Sequence, residues 1–438
     1  MRISCLVVFM MCSLVAFGQR EKRTYYDPAK KQLQEVYFVA PDDENKFIGK
    51  YVRYYENGNP MVEGNFDAGI KNGVFTEYHE NGKRARTLTY VNGLRHGPVQ
   101  VYDEDGNPYQ KAYYQNDKLA DSVQIFFDNG AVKRESFFVK GKPEGLIKEY
   151  YPTGAIKKEI AYYNGKPNGI TRHFYENGNV ESEANYKDGI MSGFFKTYFP
   201  NGQLETVSTM AEGSKNGQFK TYNEDGKLIL EGSFVNGNLH GENIAYYPEG
   251  AVRHKYTFNE GRRTGTNYDY YPDGKVKVKE SVALNGIDVV RQEYAPDGVL
   301  SAEKRFRKDK PHGTWTFYFP GSKTVSQKDT YADGKLHGVR LTYYPSGKPK
   351  SEETFKFNLL AGPAKTWYEN GNPESVAEYR SNRKHGAYKA WYDNNVLKEE
   401  GQFVADKKHG TWKEYDTTGK PARIVTYRAG TVVETVSP

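Results

Sequence analysis

Six of the nine histidines in this 438-residue chain occupy one recurring slot, directly before a glycine: His96, His240, His312, His337, His385 and His409. Imidazole binds zinc and titrates near neutral pH, so a column of histidines is the first place to look for chemistry. Members of the column come from successive copies of a repeated unit. If each copy is a two-stranded hairpin, neighbouring histidines stand two strands apart, about 9.6 Å at ordinary strand spacing. A zinc–nitrogen bond is only about 2.0–2.1 Å long. Even His312 with His337, or His385 with His409, cannot share an ion across that gap. The column reads as turn residues, and no metal site is expected.

Carboxylates recur in the same way. Counting each copy's opening residue as zero, glutamate falls near position fourteen as Glu63, Glu135, Glu159, Glu183, Glu231, Glu303, Glu352 and Glu400. Paired carboxylates do acid–base work only when two environments push their pKa values apart. A residue repeated down a ribbon meets the same surroundings each time, so these glutamates are expected to pair with lysines across strands. The chain has no G-x-S-x-G elbow, phosphate loop, H-E-x-x-H helix or Asp-rich calcium loop. Its two cysteines, Cys5 and Cys12, lie in the N-terminal segment. No catalytic residue, no cofactor and no enzyme activity are expected. The aromatic columns remain: most rings should pack on one another, but an exposed set could grip a protein or stack on sugars. Trp315, Trp367, Trp391 and Trp412, all in the C-terminal third, are the candidate partner-binding residues.

The element that must position all of these is a 24-residue unit. From Gly49, sixteen copies place an aromatic residue at position five, from Tyr54 and Tyr78 to Trp391 and Tyr415. A glycine follows four residues later, replaced only by Ser322 and Asn395. A second aromatic stands near position seventeen, from Phe66 to Tyr427, and fails only at Met210 and at Val282–Ala283. Fixed-period self-similarity decides the architecture before any other signal does. The Asn-Gly and Asp-Gly pairs, as in Glu56-Asn57-Gly58-Asn59 and Asp225-Gly226, suit a two-residue type I′ hairpin turn. At position twenty, Asp117, Asp309, Asn358, Asn382 and Asp406 substitute for glycine, residues that tolerate the left-handed region. Strand alternation sends position five to one face and positions two and six to the other. The expected fold is all-β: tandem β-hairpin repeats forming one elongated, twisted, single-layer antiparallel meander.

In chain order, residues 1–18 carry Arg2, the apolar run Ile3–Phe17 and the small residues Ala16 and Gly18, the pattern of a secretory signal peptide. It is too short to span a membrane. Residues 19–48 hold a degenerate repeat that caps the array, residues 49–430 the sixteen copies, and residues 431–438 a terminal strand or tail whose Pro438 discourages further pairing. The protein is expected to be exported, periplasmic, outer-surface or secreted, with cleavage near Gly18 and no transmembrane segment in the mature chain. The formal charge of +7 comes from 62 basic and 55 acidic residues interleaved along the strands, so no nucleic-acid partner is expected.

The stretch Phe174-Tyr175-Glu176-Asn177-Gly178, followed by Glu183, Tyr186, Gly189 and Gly193, resembles the MORN repeat variant of bacterial proteins, the unit also found in the YwqK antitoxin-component family. The likeness extends over nearly everything after residue 18. It implies a β-hairpin array used for interaction and, in some members, an antitoxin role. A weaker likeness exists to aromatic–glycine repeats that grip choline or glucans. The function expected is an exported, non-enzymatic repeat scaffold that binds a protein at the cell envelope. The alternatives are a cell-wall glycan held by exposed aromatics, or an antitoxin or immunity component.

Overall fold

The computed structural model describes residues 18–437, so the segment read as a signal peptide, except Gly18, both cysteines and Pro438 lie outside the described residues. Every regular element among them is a β-strand, and no helix is long and apolar enough to cross a membrane. The chain divides into two compact units, Met1–Ser214 and Lys215–Pro438. In each unit the strands pair antiparallel with their neighbours in sequence, as a meander. The first unit opens with the worn copy, strands Arg20–Tyr25 and Leu33–Val39. The second ends on Thr431–Val436, which adds to Pro421–Arg428 as a last strand.

The copy opening at Gly169 shows how sequence dictates the unit. Strands Lys166–Phe174 and Val180–Lys187 are joined through Glu176-Asn177-Gly178. The Gly178 N–H donates to the Tyr175 carbonyl (3.0 Å) and the Tyr175 N–H to the Asn179 carbonyl (2.9 Å). Only Gly178 is left-handed, at φ 88°. This is a three-residue loop, a type I turn closed by a glycine bulge, and not the two-residue type I′ turn expected from the Asn-Gly pair. The type I′ geometry sits in the other turn instead. There Asp188 (φ 52°) and Gly189 (φ 89°) alone separate the paired residues Lys187 and Ile190. A two-residue loop needs both residues left-handed, whereas a three-residue loop needs only its last. The substitutes at position twenty obey this rule, with Asp117 at φ 64° and Asn358 at φ 70°.

One face of each unit is the packed one. It collects positions two, fifteen and seventeen: Phe75, Leu88, Val99, Ala112 and Val123 are buried together, with Phe66, Tyr90 and Tyr114 against them. Ring contacts run Phe66–Phe75 (5.5 Å) and Phe75–Tyr90 (5.3 Å), both edge-on, a favourable geometry for aromatic pairs. In the second unit Trp412 is fully buried beside Tyr388 and Phe403. The largest inward rings fit because glycine faces them. A Cβ on Gly64 would lie 2.4 Å from the Phe75 ring, and one on Gly401 only 2.3 Å from Trp412.

Candidate functional site

On the opposite face, several position-fourteen glutamates are held from two sides. Arg172 Nε donates to Glu183 (2.8 Å) across the hairpin, and the Tyr198 hydroxyl of the next copy donates to its other oxygen (3.0 Å). Lys220–Glu231–Tyr246 and Lys389–Glu400–Tyr415 repeat the arrangement, and Gln124 replaces the cation beside Glu135 and Tyr150. The cross-strand lysine was expected from sequence; the tyrosine from the following copy was not, although its constant spacing of 15 residues carried the signal. Burial and then the glutamate hydrogen bond push the Tyr150, Tyr198 and Tyr246 hydroxyls up to about 12. Partial burial pushes the Glu183 carboxyl up, but its Arg172 and Tyr198 hydrogen bonds outweigh this and hold it below the usual range. Glu231 is lowered first by Tyr246, and Glu400 first by Lys389.

A second ladder also escaped the sequence reading. The tyrosine at position six donates its hydroxyl to the position-five carbonyl of the next copy: Tyr151 to Phe174 (2.8 Å), Tyr175 to Tyr198 (2.8 Å), Tyr344 to Trp367 (2.8 Å) and Tyr368 to Trp391 (2.9 Å). The Tyr-Tyr doublet is thus two different devices, one to a carboxylate and one to the backbone. Turn asparagines add a third: Asn177 Nδ2 reaches the Pro200 carbonyl at 2.9 Å.

The histidine column lies beside the left-handed residue that opens each copy and not in the turns expected: His96, His385 and His409 are within strands Leu94–Tyr102, Arg383–Trp391 and Lys407–Tyr415. His96 Nδ1 lies 3.2 Å from Asn116 Oδ1, and the His337 ring packs on Phe357. Among the described residues no group of three or more His, Cys, Asp or Glu is placed to hold a metal ion.

The four tryptophans do not make one surface. Trp412, a candidate grip for a partner, is wholly buried, its indole N–H donating to the Gln402 carbonyl (3.2 Å) and Lys408 Nζ lying 3.8 Å from the ring centroid. Trp315 is half-buried among Phe306, Phe317 and Tyr331 and donates to the Arg305 carbonyl (2.8 Å). Both occupy position two, on the packed face. Trp367 and Trp391, also half-buried, occupy position five, and alternation turns them to the other face. A tryptophan is scarce enough to draw the eye in a sequence, but its position in the copy decides whether its ring is available.

The departure from repetition lies where the second aromatic column fails, at Val282–Ala283. Elsewhere in this unit the connecting turns are tied in series, Gly237 N–H to the Lys215 carbonyl, Gly261 to Leu239, then Lys308 to Ile287 and Gly334 to Pro311. Among the described residues the corresponding bond to the Arg263 carbonyl is absent. The segment there closes on itself instead, Gly286 N–H to the Ala283 carbonyl and Ala283 N–H to the Asp288 carbonyl (2.9 Å each), leaving Leu284 fully exposed. Strands Val276–Val282 and Asp288–Tyr294 pair without the bulge seen in other copies, because Val289 stands where they have a left-handed residue, glycine in all but Asp121. Two adjoining cavities, about 560 and 660 Å³, share Arg262 and Arg263. Glu280 is bracketed by Arg291 (3.0 Å) and Arg263 (3.6 Å). The packed face turns polar alongside, with Asn243 and Asn267 buried at position two.

Hairpins of constant length, tied copy to copy by tyrosine and asparagine side chains, define a tandem β-repeat scaffold. The chain belongs to the MORN repeat variant family, whose pattern matches eleven segments over more than half of its length, from residues 48–68 and 71–92 to 384–405 and 408–429. One matched segment ends at residue 282 and the next begins at 336, so the irregular stretch falls outside the pattern. No match was found among curated proteins. Similar solved structures include TcdB2-TccC3-Cdc42 (11% identity, 93% of this chain, TM-score 0.14) and TcdB2-TccC3 without its hypervariable C-terminal region (12%, 98%, 0.14). The chain spans 27% of the length of each, and overlap that slight carries no argument.

Proposed function

We propose that this protein is an exported, non-enzymatic scaffold that binds another protein at the cell envelope. The observation that carries the reading is repetition of environment. Glu183, Glu231 and Glu400 each meet a cation and a tyrosine, so these carboxylates share one environment and lack the separation of paired groups that catalysis requires. A repeated surface instead offers the same contacts many times over, as solenoid-type binders do. Export rests on the apolar run Ile3–Phe17 after Arg2. The test is affinity capture of the tagged mature chain from envelope extracts. Recovery of a defined protein in stoichiometric amount supports the scaffold; capture of nothing, together with turnover of a small substrate, would overturn it. Edman sequencing of the exported chain is expected to begin at Gln19.

A glycan reading draws on a different place. Tyr109 is 52% exposed, and with Phe127, Tyr151, Lys133 and Lys157 it lines a cavity of about 470 Å³ in the first unit. Aromatic rings beside cations suit an acidic sugar. Co-sedimentation with cell-wall polymer that is lost in Tyr109→Ala would favour this reading over the protein partner.

A further inference from the structure

The gap at Arg263 has the chemistry of a docking site, and we propose that it receives an extended peptide segment of the partner protein, carrying one or two carboxylates beside an apolar side chain. The inference rests on the scaffold reading above and names where on the scaffold a partner engages.

Three features identify the occupant. The first is a vacant main-chain acceptor: the Arg263 carbonyl lacks the turn N–H that its equivalents at Lys215, Leu239 and Pro311 receive. A peptide N–H is the group this position normally takes, and the obligatory pairing of backbone groups makes it a ready partner. The second is amide lining. Asn236, Asn238 and Asn259 border one cavity and make no side-chain hydrogen bond among the described residues. Each amide supplies both a donor and an acceptor, the pair that an extended main chain presents in turn.

The third feature is the arginine side. Arg262 has no ion pair among the described residues, and the buried Nε of Arg291 has no acceptor. Arg263 and Arg291 already share Glu280, which preorients their remaining N–H groups for carboxylate oxygens. Val282, Val289 and Phe306 form the apolar wall, and Leu284 stands exposed at the rim. Glu260 and Asp309 also border the cavities, so the summed charge is close to balanced. That balance disfavours a polyanion such as nucleic acid and suits a short segment whose carboxylate meets the arginines directly. Elsewhere in the unit the space is filled by the connecting turn itself, so the partner segment stands in for a missing piece of the repeat.

The experiment selects random heptapeptides displayed on phage against the whole mature chain and, in parallel, against Arg262→Glu. Arg262 is exposed and unpaired, so this variant keeps the fold, and circular dichroism verifies it. The expected result is enrichment on the wild-type chain of peptides with Asp or Glu next to an aliphatic or aromatic residue. The affinity of the strongest, measured by fluorescence anisotropy, should fall by about tenfold or more in Arg262→Glu, and similarly in Leu284→Asp. Enrichment without an acidic residue, equal affinity in both variants, or no enrichment would overturn the site. If envelope capture still recovers a protein partner with Arg262→Glu as well as with wild type, the site falls while the scaffold reading stands.

Discussion

Glu183 accepts from Arg172 and Tyr198 at once, on a strand face where water reaches it only partly. Removing one charge-assisted bond of this kind costs about 1.5–3 kcal/mol when the partner remains half-buried, so Glu183→Gln should lower unfolding free energy by that order. Urea denaturation followed at 218 nm measures it. The same groups give the protein two pH edges. Glu183, Glu231 and Glu400 titrate below the ordinary 4.5 in the folded chain. Their stabilisation is therefore complete above that value and is lost as pH falls through the lower folded-state values. Tyr150, Tyr198 and Tyr246 are raised from 10.0 to about 12, so their contribution is complete below pH 10 and is lost between 10 and 12. Unfolding midpoints in urea should thus hold steady from about pH 7 to 9, decline below about 6.5 as His173 and His254, lowered by burial, are protonated more readily in the unfolded chain, and drop further at either extreme. Gly401 makes a steric point at the same scale. Ala at this position would place a methyl 2.3 Å from the buried Trp412 ring, and the forced shift should cost about 1–3 kcal/mol, with near-ultraviolet circular dichroism reporting the displaced indole.

At the level of the hairpin, copies are joined by more than the strand ladder. Each position-six tyrosine that bonds the next copy's carbonyl acts as a strut between neighbouring turns. Tyr368→Phe removes only the hydroxyl that reaches the Trp391 carbonyl at 2.9 Å. The loss is expected at about 0.5–1.5 kcal/mol, and hydrogen exchange should show it in the strands Leu359–Trp367 and Arg383–Trp391 rather than throughout the chain. The turns show how much of an element can be read ahead of its structure. Gly and the substitutes Asp117, Asp309, Asn358, Asn382 and Asp406 at position twenty announced a left-handed residue, and each adopts it, whereas in the irregular copy the left-handed residue is Gly286. The Asn-Gly pair announced a turn but not its type. Type depends on which residues the strands pair, and that register is set by packing on the core face.

At the level of the whole chain, a repeat array should tolerate the loss of a complete unit and suffer from the loss of half of one. Excising residues 362–385 joins Ala361 to Gly386, which opens the next copy in the same register. The shortened chain should keep its β-sheet spectrum and a single urea transition with a slightly smaller m-value. Excising residues 362–373 alone removes one strand and its turn, reverses the order of strand faces beyond that point and should abolish cooperative unfolding.

The period, the aromatic columns and the turn glycines were enough to establish an all-β array of hairpins, because each is a local demand repeated over many copies with few exceptions. Tertiary structure decided what those residues do for one another. Trp412, by its rarity a candidate contact, became core because Gly401 leaves room for it, and the tyrosine doublets became struts because the preceding copy brings a glutamate and the next one a carbonyl within reach. The opening beside Arg263 was marked in the sequence by the break at Val282–Ala283, but that it leaves a carbonyl without its usual turn N–H depends on how the chain folds there and was decided by the tertiary structure.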